Sequence, residues 1–145
     1  MNVKEFFKKD KYAELSGIEL LESEIGYAKA RMKITSSHLN AGGVCQGGAI
    51  FTLADFAFAA AVNGQGILTV SINSTINFFR SEKEGYLYAE AHEINSHKRI
   101  PNCEVKIVND KDELVAVFNG TGYRHLPPSP SKGGGNELRI ENFFF

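Results

Sequence analysis

The chain has 145 residues, 43% of them hydrophobic, and a formal net charge of −1. That is enough for one domain with a sizeable core, and without a basic cluster nucleic acid is not an expected partner. The two cysteines, Cys45 and Cys103, form no CxxC pair; with no secretion-signal pattern and no segment apolar enough to span a bilayer, the expected setting is the cytoplasm, off the membrane, with free thiols.

Residues 3–12 have the spacing of a short amphipathic helix, with Phe6 and Phe7 against the domain and Lys8, Lys9 and Lys11 toward water. Residues 19–25 and 27–34 read as two strands broken at Gly26. In the second, Ala28, Ala30, Met32 and Ile34 alternate with Lys29, Arg31 and Lys33, the pattern of a half-buried strand. Residues 36–46 read as a loop, and residues 47–62 as one helix that stops near Asn63 and Gly64. Residues 68–79 read as a long strand whose polar members Thr69, Ser71, Asn73, Thr75 and Asn77 are expected on one face. Residues 86–95, 102–109 and 114–123 give three more strands. This order implies an antiparallel α+β domain, residues 1–126, with its long helix packed on the sheet. Residues 127–145 carry Pro127, Pro128 and Pro130, then Gly133, Gly134 and Gly135, and read as a tail outside the domain.

The segment 47–62 is apolar on nearly every side, yet it holds a carboxylate, Asp55, in its middle. It is shorter than the roughly 18 residues of a membrane span, so it reads as a helix wrapped by protein. An unpartnered carboxylate there is costly, so Asp55 either bonds a buried amide or an arginine, or it does chemistry. Gly47 and Gly48 either make a tight entry to the helix or leave its first amides open to a carbonyl oxygen. Asp55 lies eight residues beyond Gly47, about 12 Å along the axis. It therefore cannot reach an atom held on its own Gly47 amide, but it can meet Gly47 of a second, antiparallel copy.

From His38 to Gly66 the chain reads HLNAGGVCQGGAIFTLADFAFAAAVNGQG. This resembles the hotdog-fold acyl-CoA thioesterases of the phenylacetic-acid-degradation (PaaI-type) branch. The family pattern is an asparagine, a glycine-containing loop, His-Gly-Gly, then Leu-Ala-Asp-x-Ala. The resemblance extends from about Leu15 to Arg124 and includes Gly17-Ile18-Glu19-Leu20 and Gly120-Thr121-Gly122-Tyr123-Arg124. It implies a hotdog fold, an antiparallel sheet wrapped around one long helix. It also implies homodimers with shared active sites, usually paired as homotetramers, and an acyl-CoA substrate with no separate cofactor. Asp55 matches the acid that activates water or attacks the thioester. The Gly47 amide matches the oxyanion donor, and Asn40 matches the residue that places the water or the thioester.

One position departs from the family. Gln46 stands where histidine is usual, and glutamine does not change protonation near neutral pH. The alternative function is thus a non-catalytic module that binds acyl-CoA. Gln46, Gly48 and His38 are expected to line the site, although a lone histidine also serves structure. Asn73 and Thr75 either line the acyl pocket or lie on a solvated sheet face. Arg80, with Lys98 and Arg99, either meets coenzyme A phosphates or is surface charge. Cys45 reads as buried in the loop, and no metal-ligand spacing is present.

Overall fold

The computed structural model describes residues 2–95 and 97–126. The expectation of a tail at 127–145 lies outside the described residues. Two short helices, α1 (Val3–Phe7) and α2 (Lys11–Leu15), precede strands β1 (Ile18–Glu24) and β2 (Tyr27–Lys33). A 3-10 turn (Ser36–His38) leads to the long helix α3 (Gly47–Val62). Strands β3 (Thr69–Phe78), β4 (Tyr86–Asn95), β5 (Asn102–Val108) and β6 (Leu114–Arg124) follow.

The six strands form one antiparallel sheet in the order β1-β2-β4-β5-β6-β3. The chain leaves β2, runs through α3 and re-enters at the far edge as β3, so α3 must lie across the sheet. The face beneath it is built in rows. Ala30, Ala89, Ile107, Ala116 and Phe78 pair in register across five strands, and Ala28, Ala91, Val105, Phe118 and Ile76 form the next row. Alanines on β2 and β4 let the helix sit close, and larger side chains, chiefly on β5, β6 and β3, fill the rest. Ala28, Ala30, Ala89, Ala91, Val105 and Ile107 are fully buried.

Two details differ from the sequence reading. Residues 3–12 are two helices, because Asp10 caps the second: its Oδ1 accepts from the Ala13 amide at 2.9 Å. The polar residues of β3 do not share a face. A bulge between Ser71 and Asn73 leaves Ile72 unpaired and reverses the alternation. Thr69 and Ser71 therefore lie on the helix side with Ser74 and Ile76, while Asn73, Thr75 and Asn77 lie on the opposite face.

The far end of α3 is fixed by its neighbours. Asn63 caps it, donating from Nδ2 to the Ala59 and Thr69 carbonyls at 2.8 and 3.0 Å. A side chain on Gly64 would strike the Glu24 carbonyl, so only glycine lets the β1–β2 turn approach this closely. Arg124, buried under β6, donates to the Val62 carbonyl at 3.1 Å and pairs with Glu93 at 2.7 Å. Among the described residues, no helix is long and apolar enough to cross a membrane.

Candidate active site

One stripe of α3 is left uncovered. Gly48, Thr52, Asp55 and Ala59 recur at helical spacing on the same side, and none is buried. Thr52 bonds back into the helix, its Oγ1 donating to the Gly48 carbonyl at 2.8 Å. Among the described residues, no hydrogen bond or ion pair holds the Asp55 carboxylate. The expectation that it serves a buried amide or an arginine is therefore not met among the described residues. Burial, and then the nearby charge of Asp10, push the Asp55 carboxyl above the ordinary carboxylate range.

The start of α3 supplies the complementary charge. Gln46 is the N-cap, with an extended backbone and no side-chain capping bond. Its carbonyl takes the Ala49 and Ile50 amides at 3.0 and 3.2 Å. The Gly47 and Gly48 amides have no acceptor among the described residues. They sit at the positive end of the helix dipole. Packing explains the first glycine: a Cβ on Gly47 would come within 3.1 Å of the Phe78 ring, at the end of the inward row.

The preceding loop is held by Asn40. Its Oδ1 accepts from the Gly42 and Val44 amides at 2.9 and 3.2 Å, and its backbone N–H donates to the Val44 carbonyl at 2.8 Å. Gly43, at φ +78, completes the turn. Among the described residues the Asn40 Nδ2 has no acceptor, so it can donate outward. Two backbone bonds seat the loop: Cys45 N–H donates to the Glu82 carbonyl and Gln46 N–H to the His38 carbonyl, both at 2.8 Å. Burial pushes the Cys45 thiol up to about 11, which makes it a poor nucleophile.

Asp55, Gly47, Gly48, Asn40 and Gln46 thus lie on α3 or on the loop that enters it. Within one copy, the other expected residues lie off this stripe or are engaged by the fold. His38 is consumed by the fold: Nδ1 accepts from the Thr35 amide at 2.9 Å, and Nε2 bonds the Ser16 carbonyl at 2.8 Å. With both ring nitrogens engaged, it joins α2 to the loop. Arg80 is held between Glu82 at 3.2 Å and Glu113 at 2.6 Å, so its charge is spent within the protein. Asn73 and Thr75 pair with Thr121 and Asn119 on the face away from α3, as the β3 bulge dictates.

Asp10 was missed as a neighbour of Asp55. Its signal is an N-cap residue three positions before Ala13, which places α2 beside the helix. Arg124 was read only as the end of a motif, and its pairing with Glu93 depends on strand register. A cavity of about 660 Å³ lies on the outer sheet face and is lined by exposed charges such as Glu90, His92, Glu104 and Lys106. It touches neither α3 nor the loop. Among the described residues, no three His, Cys, Asp or Glu side chains gather as a metal site.

An antiparallel sheet wrapped along one long helix is the hotdog fold, and the class of protein it defines here is that of the thioester hydrolases. The chain belongs to the Thioesterase superfamily, whose family model matches residues 42–116. It is similar to a protein of Archaeoglobus fulgidus, 41% identical over 127 residues that cover 85% of this chain and 82% of that protein. It is also similar to the acyl-coenzyme A thioesterase PaaI of Escherichia coli K12, 35% identical over 85% of this chain and 89% of that protein. The solved structure of E. coli PaaI, from the phenylacetic acid degradation operon, superposes with a TM-score of 0.82 at 34% identity. That match covers 86% of this chain and 91% of that one.

Proposed function

We propose that the protein hydrolyses an acyl-coenzyme A thioester to the free acid and coenzyme A, in a site built from two copies of the chain. The observation that carries this reading is the pairing of an unpartnered Asp55 with unpartnered Gly47 and Gly48 amides on one helix. They are separated by about 12 Å of helix axis, too far for one substrate atom to meet both. A second helix running antiparallel along the open stripe brings Asp55 of each copy to the Gly47 amide of the other. The edge strand β3 supports such an assembly. It is paired only with β6, and Ile72, Phe78 and Phe79 beside it are 55%, 50% and 62% exposed. A ten-residue open edge of this kind is a template for pairing.

In this arrangement the thioester carbonyl oxygen rests on the Gly47 N–H. Asp55 takes a proton from water as it attacks the carbonyl carbon; where the carboxylate attacks that carbon itself, water then cleaves the mixed anhydride, releasing the acid and restoring Asp55. The negative charge that develops on oxygen is met by the amide and the helix dipole, a donor typically worth about 3 kcal/mol. Collapse breaks the carbon–sulfur bond and expels the coenzyme A thiolate. The Asn40 Nδ2 donates to the water or the thioester. No step needs a redox or metal cofactor.

The experiment is turnover of a panel of aryl and short-chain acyl-CoAs, followed with a thiol reagent, for wild type, Asp55→Ala and Asp55→Asn. Wild-type turnover with a loss of about 10²–10⁴-fold in both variants supports the reading. Variants that match wild type remove Asp55 from it, and wild type inactive on every acyl-CoA ends it.

A further inference from the structure

Gly48, the second residue of α3, heads the uncovered stripe that carries Asp55, and its own backbone makes no demand for glycine, since its φ is not positive. Beyond the helix backbone, a Cβ there would meet one residue among those described. That residue is Gln46, with Oε1 at 3.0 Å and Cδ at 3.8 Å from the added atom. Glycine inside a helix is unfavourable beside alanine. Room for the Gln46 carboxamide is the reason for it that the fold of one copy supplies.

The backbone of Gln46 is pinned on both sides. Its N–H donates to the His38 carbonyl at 2.8 Å, and its carbonyl accepts from the Ala49 and Ile50 amides at 3.0 and 3.2 Å. The side chain is not pinned. It folds over the first turn as a capping side chain does, yet it makes no capping bond, and nothing else among the described residues holds it. A serine, asparagine or aspartate at this position accepts from the second or third amide and closes the helix end. Gln46 leaves the Gly48 amide free and adds a carboxamide beside it. Oε1 is the end of that carboxamide nearer Gly48, so Nε2 and its two hydrogens are turned away from it.

We propose that the Gln46 carboxamide is a further catalytic donor: its Nε2–H binds the thioester carbonyl oxygen together with the Gly47 amide, and Gly48 is glycine to seat it. This rests on the thioester reading above. The Gly47 amide offers one hydrogen, and the oxygen of the tetrahedral intermediate has lone pairs for more. Gln46 directly precedes Gly47, so the same backbone bonds that fix the first turn also fix the root of the second donor. The carboxamide neither gains nor loses a proton during the reaction. Gln46 thus fills the position where histidine is usual with a donor that does not titrate near neutral pH.

The test measures kcat and KM, on the acyl-CoA that wild type turns over fastest, for Gln46→Met, Gln46→His, Gly48→Ala and the double variant Gln46→Met with Gly48→Ala. Gln46 and Gly48 are exposed, so no change opens the core. Gln46→Met keeps the length of the side chain and deletes the donor. Its kcat is expected to fall by about 10²-fold with KM little changed, because the bond strengthens as charge develops on oxygen. Gln46→His restores a donor and recovers most of that loss. It also gains a change in kcat near the imidazole value of about 6.5, beside the limb that belongs to Asp55. Gly48→Ala displaces the carboxamide and lowers kcat, and in the Gln46→Met background it has no further effect. If wild type is active and Gln46→Met keeps its kcat, or Gln46→His keeps the wild-type pH profile, Gln46 is not a donor and the thioester reading stands without it. An equal loss from Gly48→Ala in both backgrounds removes the seat assigned to Gly48. If wild type turns over no acyl-CoA, the proposal and the reading beneath it both fail.

Discussion

Asp10, the N-terminal cap of α2, stands close enough to Asp55 for their charges to repel. Burial is the larger reason that Asp55 holds its proton more tightly than an ordinary carboxyl, and Asp10 adds to it. A base with a raised pKa works only above that value, so the acid limb of the kcat/KM profile belongs above the ordinary carboxylate range. Asp10→Asn removes the charge but keeps a good cap for α2. It is expected to move the limb toward lower pH with the fold intact. A limb that stays in place would show that Asp10 does not act on Asp55.

The same shift has a consequence for stability. The native carboxyl is the tighter proton binder, so stability falls as pH rises from the unfolded-state value near 3.8 through the folded value. Above the unfolded-state value the buried carboxyl therefore weakens the fold. Asp55→Asn removes that burden and is expected to melt at a higher temperature than wild type at pH 7, while losing activity. The difference shrinks at pH 3, where both states are protonated. An equal or lower melting temperature at pH 7 would contradict an unpartnered Asp55.

Gly47 separates the amide from the side chain as sources of activity. It is the first residue of α3, the position where proline is best tolerated, and Gln46 before it is already extended at ψ 139°. Gly47→Ala keeps the N–H and asks the half-exposed Phe78 ring to yield slightly. Gly47→Pro makes a similar demand and deletes the N–H. The proline variant is expected to lose about 10²–10³ in kcat relative to the alanine variant. Equal rates in the two would take the oxyanion role away from this amide.

Most of the fold was legible because its signals are local. The ends of α3 follow from a glycine pair at one side and Asn63-Gly64 at the other, and β2 follows from strict alternation of alanine with lysine or arginine. The misreadings are non-local. The bulge at Ile72 is set by how β3 pairs with β6, and one strand read alone predicts an unbroken alternation. His38 and Arg80 have the chemistry of a ligand site, but each has, besides a near neighbour, a partner far off in sequence, 22 positions away at Ser16 and 33 away at Glu113. The open stripe of α3 was hidden for another reason. Its residues are small or apolar except Thr52 and Asp55, and only the absence of packing over them reveals a surface.

Asn40 offers two different groups, and substitution can divide them. Its Oδ1 holds the Gly42 and Val44 amides, while its Nδ2 is unpaired among the described residues. Asn40→Asp preserves both acceptor bonds and deletes the donor. It is expected to keep the wild-type melting temperature and lose roughly fivefold in kcat, in line with one hydrogen bond of about 1 kcal/mol. Asn40→Ala loses the loop bonds too, and should fall further in both measurements. Full activity in Asn40→Asp would mean that the side chain only shapes the loop.

The far end of α3 depends on a buried ion pair. Arg124 and Glu93 have side chains only 3% and 9% exposed, 2.7 Å apart, and Arg124 also donates to the Val62 carbonyl at the negative end of the helix dipole. Removing one partner leaves the other charge buried and alone, which costs about 3–5 kcal/mol. Glu93→Leu is therefore expected to lower the urea midpoint sharply. Arg124→Leu alone should do the same, because it abandons both Glu93 and the Val62 carbonyl. Combining Glu93→Leu with Arg124→Leu leaves no charge behind and restores apolar volume. The double variant should then be more stable than the sum of the single changes implies, by an amount of about 1–3 kcal/mol for residues in direct contact. Strict additivity in urea unfolding would show that the two side chains stabilise the helix end independently.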